Sequence, residues 1–363
     1  ATISFNRHEG FALTSSELLL QDVEIVDSAL AVFAVDTTVR MTRAIFRANV
    51  RAVAFEMNTQ NAQLIATDSL FELNSRSALS SVCYIAFPGA LLSVRLTGCV
   101  FSSNALIPDF DSDGLLHVSV PADFELDVTV SNTRFFNNSL RTGLKAVLVS
   151  AVAPYSRGAV SFTDCVFERN SVRLLGLSQA FGGLLRISAT SVTVASSQFA
   201  HNSVFIRAGV IDLEVDGALV DLPMVSTHTM TSVDALLFDR NVVTIETDSA
   251  SSAVHIAGGL LHASGSIVRA REVRFSANEI GVRSAFLGQI GGAICRFSNL
   301  AALADLSLAG DTVRIEYQTF DASAPSEVRG GLALLELAES FNATTIASLD
   351  IANAIVTLAQ TSQ

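Results

Sequence analysis

Tryptophan is absent from these 363 residues, tyrosine occurs three times, and lysine once, at Lys145. Each shortage excludes something. With one lysine and a formal net charge of −12, the chain offers no basic surface to nucleic-acid phosphates. It has no polybasic patch for an anionic membrane either. Charged residues make up only 16% of the chain, less than an ordinary α/β domain carries. Four cysteines (Cys83, Cys99, Cys165, Cys295) are too few for a disulfide scaffold, and no CxxC pair points to zinc. No run reaches the roughly 18 apolar residues needed to span a bilayer. The richest, SALAVFAV at 28–35, lies between Asp27 and Asp36 and reads as a buried strand. GxSxG, HExxH and phosphate-loop motifs are missing. The chain opens Ala-Thr-Ile without a charged leader and closes on TLAQTSQ, so it is expected to be a segment of something longer.

Phenylalanine, by contrast, occurs 23 times, and its placement repeats. Phe-x-x-Asn stands at Phe46/Asn49, Phe55/Asn58, Phe71/Asn74, Phe101/Asn104, Phe135/Asn138, Phe167/Asn170, Phe199/Asn202, Phe238/Asn241 and Phe275/Asn278. Chance would place roughly one such pair in a chain of this composition, so this is an internal repeat. The flanks agree. Seven and five positions before the Phe stand Val94 and Leu96, Val128 and Val130, Val160 and Phe162, Val192 and Val194. Two positions before it comes a small or compact residue: Cys99, Thr133, Cys165, Ser197. Two after the Asn comes Leu106, Leu140, Val172, Val204, Val243 or Ile280.

Period-two alternation, broken by tight polar turns, describes short strands with one face inward. Strands this short fit the rung of a parallel β-helix, whose coils pair about 4.8 Å apart. The fold is therefore expected to be an all-β solenoid spanning residues 1–363 as one domain. Equivalent residues of successive rungs should form columns. The Phe column (Phe46, Phe71, Phe101, Phe135, Phe167, Phe199, Phe238, Phe275) would bury roughly 1.5–3 kcal/mol per ring. The Asn column (Asn49, Asn74, Asn104, Asn138, Asn170, Asn202, Asn241, Asn278) would satisfy corner backbone groups and bond to itself. Asn would also tolerate a left-handed corner.

Weaker rungs extend the series, with Ile25 and Ser28, Phe320 and Ser323, and Ile351 and Ala354 in the two slots. Phe55 is set aside as part of another strand. This gives about eleven rungs and a rod on the order of 50 Å long. The uneven spacing predicts side loops, with inserted loops at 109–114 and 205–233.

GGLL recurs at 182–185 and 258–261, GGAI stands at 291–294 and GGLA at 330–333. A glycine pair before a strand suits a corner of close backbone approach. Together the GGAI-type and FxxN motifs resemble the repeats of the polymorphic outer-membrane protein family. That family comprises chlamydial autotransporter passengers, and related repeats occur in large protist surface proteins. The resemblance covers roughly residues 39–340. It implies a right-handed β-helix at a cell surface, extracellular, acting in adhesion or as a stalk or filament. The implied partners are surface proteins or glycans, or further copies. The early rungs lack the glycine pair, and this chain contains no C-terminal membrane β-barrel.

Candidate chemistry is sparse, and no cofactor is expected beyond a candidate calcium ion. DFDSDG supplies Asp109, Asp111 and Asp113 at alternating positions, then Gly114 and apolar Leu116, as in a calcium loop. The twelfth position is Val120 rather than Glu, so a solvated acidic turn is the competing reading. Asn137 and Asn342 head glycosylation sequons. Cys99 and Cys165 share a slot two rungs apart, too far for a disulfide, and are expected to be buried free thiols. The six histidines show no metal spacing, and His255 and His262 read as surface or loop residues. Parallel β-helices also host polysaccharide lyases and hydrolases, which need convergent carboxylates. Asp212, Glu214 and Asp216, alternating onto one strand face, are the best candidates, against a charged face that merely resists edge pairing. The expectation is a non-enzymatic module.

Overall fold

The computed structural model describes residues 2–4, 9–56, 61–75, 77–82, 90–106, 114–120, 124–142, 147–153, 157–177, 179–208, 213–247, 253–320, 328–329, 332–337, 345–346 and 349–360. Every regular element among them is a β-strand. The strands pair in parallel, each with its counterpart one repeat away, and form a larger and a smaller sheet. This is the pairing of a β-solenoid.

The repeat beginning at Gly158 shows the plan. In Gly158–Thr163 the alternation turns Val160 and Phe162 inward. Asp164, left-handed at φ 54°, bends the chain into Val166–Glu168, which buries Phe167. Arg169, left-handed at φ 55°, makes the next bend, and buried Asn170 follows. Ser171–Leu177 then crosses into the smaller sheet with Val172 and Leu174 inward. After Gln179–Phe181 a glycine corner returns the chain to the larger sheet at Leu185–Ser188. One repeat on, Phe162 pairs with Val194, Phe167 with Phe199, Val172 with Val204 and Leu185 with Val220.

The phenylalanine column forms as expected. The eight rings from Phe46 to Phe275 are all buried and stack in sequence, with centroids 4.6–5.2 Å apart and planes within 13° of parallel. Strand spacing dictates that separation, since each ring sits directly above its equivalent. Ile3 and Ile25 continue the column at one end, Leu308 and Ile351 at the other. Phe320 is not in it: that residue pairs with Leu287 in the smaller sheet. Leu308 holds the slot because the inward position asks for an apolar side chain, not for phenyl in particular. Asp311, not Ser323, accordingly holds the polar slot. Phe55 lies on Arg51–Glu56, beside Ala34 and Ser81, and so on another strand.

Two further expectations are corrected. Residues 205–233 are not one inserted loop: Ser203–Ala208, Leu213–Asp216 and Val220–Leu222 are strands in register with both neighbours. Among the described residues of this span, the longest irregular connection is 223–229. Nor is the ladder Asn the left-handed residue. The residue just before it is: Ala48, Leu73, Ser103, Asn137, Arg169, His201, Arg240, Ala277 and Gly310 all have φ between 50° and 69°. A second left-handed residue lies five positions earlier in each case, at Arg43, Asp68, Gly98, Asn132, Asp164, Ser196, Ala235, Glu272 and Asp305. Non-glycine residues hold this conformation at a cost of about 1–2 kcal/mol. Their N–H groups reach the adjacent repeat, as from Asp164 to Ala195 O (3.1 Å) and from Arg169 to Ala200 O (3.1 Å).

Candidate functional site

Most of the interior polar capacity is spent between repeats. Asn138 is representative. Its backbone N–H and one Nδ2 hydrogen donate to Asn170 Oδ1, both at 3.0 Å, and the other Nδ2 hydrogen donates to Phe101 O at 2.9 Å. Its own Oδ1 accepts two bonds from Asn104. From Asn74 to Asn278 the same set recurs, so every amide atom is matched. Ser28 joins at the start by its backbone N–H alone, to Asn49 Oδ1. The compact slot before each Phe is closed similarly: Thr133 and Ser197 hydroxyls donate to the carbonyl two residues back. Cys99 and Cys165 thiols do likewise, as free cysteines. Burial pushes these two thiols up to about 11 and about 12, which makes them inert as nucleophiles.

The glycine corners create a second arrangement, on the outside. Gly182, Gly217, Gly258 and Gly292 are left-handed and stack from repeat to repeat. A Cβ on Gly258 would lie 2.2 Å from Leu261 O. Residues 217–220, Gly-Ala-Leu-Val, form a corner of the same kind that the glycine-pair motif does not mark. In GGAI at 291–294 the corner residue is the second glycine, because Cys295 pairs with Leu261. Gly114 continues the stack of residues that follow the corner glycine: a Cβ there would meet Val147 O at 2.2 Å, as one on Gly259 would meet Ala293 O. Gly114 and Val147 therefore hold this place in the stack without the paired motif.

Four positions after each corner glycine, one register column carries Arg186, Asp221, His262 and Arg296. Asp221 is 1% exposed, bonded to His262 Nδ1 at 2.9 Å and ion-paired with Arg186 Nε at 3.4 Å. His262 itself is only 12% exposed. Beside them lies Asp216, whose carboxyl is pushed up to about 6, chiefly by burial. Asp221 and Glu214 add to that rise, while His262 and Arg296 oppose it. Gln179 donates to Glu214 Oε2 at 3.0 Å along the same face. Chemically, this gives a histidine oriented by a buried carboxylate and an acid that keeps its proton to mildly acidic pH.

Of the expected catalytic candidates, Glu214 and Asp216 do alternate onto the outward face of Leu213–Asp216, with Asp216 beside this cluster, and Asp212 lies outside the described residues. His262, expected on a loop or strand surface, stands on Leu261–Ser276 with little of its side chain exposed and its ring held by Asp221. The signal was available as the shared offset from the corner glycine, hidden by the Gly-Ala variant at 217. Asp109, Asp111, Asp113 and Asn342 lie outside the described residues. Gly114 belongs to the corner stack, so the turn glycine that a calcium loop would need has another role. Asn137 is exposed, next to buried Asn138. No group of three potential metal ligands occurs among the described residues. A depression on the smaller sheet, where Gly281 lies between Thr244 and Arg314, measures about 130 Å³ and is too small for a typical organic ligand.

Comparison with protein families, with curated proteins and with solved structures finds no match for this chain. Its class is that of its own geometry, an all-β solenoid of parallel strands.

Proposed function

We propose that this chain is a non-enzymatic structural or adhesive module of an extracellular, cell-surface protein. In this reading it is a right-handed parallel β-helix of about eleven coils, akin to polymorphic outer-membrane protein repeats. The observation that carries the proposal is the continuous pair of columns, phenyl rings and carboxamides, whose bonding capacity goes into joining repeats. Such an interior supports a stiff rod and leaves the outer face free to vary. The exposed Asn137 is compatible with glycosylation in a secretory host, and partners would be surface proteins, glycans or further copies. The candidate calcium loop is tested by calorimetry with and without D111A, and no difference in heat leaves it a solvated acidic turn.

A second reading, a carbohydrate-active enzyme, is favoured by Asp216 beside the Asp221–His262 pair. One experiment separates the two. The purified chain is incubated with a panel of acidic and neutral polysaccharides and product formation is followed. A structural module gives no turnover. Turnover that Asp216→Asn or His262→Ala abolishes replaces the first reading with the second.

A further inference from the structure

The amide ladder does not end on an amide. Asn278 donates its backbone N–H and an Nδ2 hydrogen to Asp311 Oδ1, both at 2.9 Å, as each Asn from Asn74 onward does to the next. Asp311 is fully buried, and its second oxygen, Oδ2, is a buried atom with no hydrogen-bond partner. In the other ladder residues the atom opposite Oδ1 is Nδ2, which donates to the carbonyl of the Phe one repeat earlier, as Asn278 does to Phe238 O. The equivalent carbonyl for Asp311 belongs to Phe275. An ionised Asp311 would set an oxygen lone pair against another acceptor, in a site without water access.

We propose that Asp311 is a neutral carboxylic acid in the folded protein, its proton on Oδ2 donated to the Phe275 carbonyl, and that it is a pH-sensitive terminator of the ladder. The next residue in the column, by the Thr312–Ile355 register, is Ala354, which has no side-chain acceptor. An Asn at 311 would therefore leave one Nδ2 hydrogen unmatched. A carboxylate would leave a buried charge facing an acceptor. The neutral acid, with one donor and an oxygen that takes two bonds, matches this slot. Burial is also the leading cause that moves this carboxyl upward, against the bonds from Asn278 and from the Ala309 backbone.

No described cation faces the group. Inside, the titratable neighbour is the Cys295 thiol, fully buried and pushed upward by burial and then by Asp311, so it too is neutral. The charged residues on the surrounding strands, Arg274 and Glu279 before it, Asp305 and Arg314 in its own repeat and Asp350 after it, are all exposed.

A carboxyl whose folded pKa is raised contributes its full stability below the unfolded value, and loses it as pH rises toward the folded value. Urea midpoints of the wild type and Asp311→Asn, compared from about pH 4 to about pH 8, read this directly. The wild type should be the more stable at the acid end, with the gap narrowing or reversing as pH rises. A gap that stays constant or widens overturns the proposal. The wild type also carries a test that needs no stable variant. Its infrared spectrum at about pH 6 should show a protonated carboxyl band that remains in Asp216→Asn. If only the Asp216 carboxyl contributes there, the proposal falls.

Discussion

An asparagine side chain offers two donors and an oxygen that takes two bonds, and at Asn170 all four are used, with no water needed. Removing the side chain orphans the Asn138 backbone N–H, one Asn138 Nδ2 hydrogen and the Phe135 carbonyl. At roughly 1–3 kcal/mol for each buried unmatched group, less some relaxation, Asn170→Ala should cost about 3–5 kcal/mol in denaturant unfolding. A cost below about 1 kcal/mol would mean the ladder is only decorative. Asp216 makes a prediction of the opposite sign. Its folded value of about 6 lies above its ordinary 3.8. Its contribution is therefore complete below the ordinary value and is lost as pH climbs to about 6. Asp216→Asn should thus match the wild type in acid and exceed it by about 1–2 kcal/mol at neutral pH, a figure reduced for partial exposure.

At the scale of elements, three-residue strands such as Val166–Glu168 exist because left-handed residues stop them on both sides. Leu73 holds such a position at φ 57° with its side chain 52% exposed, where neither packing nor conformation favours it. Replacing it with Asn should stabilise the chain by about 0.5–1 kcal/mol, seen as a higher thermal midpoint. Gly258→Ala should do the reverse. Both the left-handed backbone and the Leu261 carbonyl oppose a Cβ, and a loss of about 2–4 kcal/mol is expected. Equal effects at the two positions would show that the corners are more compliant than their contacts imply.

Across the whole molecule each repeat touches mainly its two neighbours, so damage should stay local. Phe167→Ala, which leaves a gap in the ring column costing about 3–5 kcal/mol, should speed amide exchange chiefly between residues 135 and 200. Amides near Phe46 and Phe71 should keep their protection, and uniform loss along the chain would instead indicate one global cooperative unit. The outer ion pairs between repeats, among them Arg40–Glu17, Arg43–Asp22 and Arg271–Asp234, contribute little to this. They are largely exposed, so water screens the attraction. The interior columns hold the rod together, and the exterior can change without unfolding it.

Much of this is legible in the sequence, because a column repeats its demand at every level. A slot that always faces inward keeps selecting Phe, and a slot that must match the same four partners keeps selecting Asn. Spacing alone therefore located both columns and the free thiols. Where several residue types meet a demand, the sequence lost its mark: Leu308 serves as well as Phe, and Gly-Ala at 217 turns a corner as well as Gly-Gly. The cluster of Asp216, Asp221 and His262 was visible only in the tertiary structure. Asp216 and Asp221 flank one corner while His262 lies on the next repeat, and register decides that they meet. The left-handed bends leave no mark in the sequence for a related reason. Their conformation is imposed by bonds to the adjacent repeat, so Leu, Arg, Ala and His occupy them against their own preference.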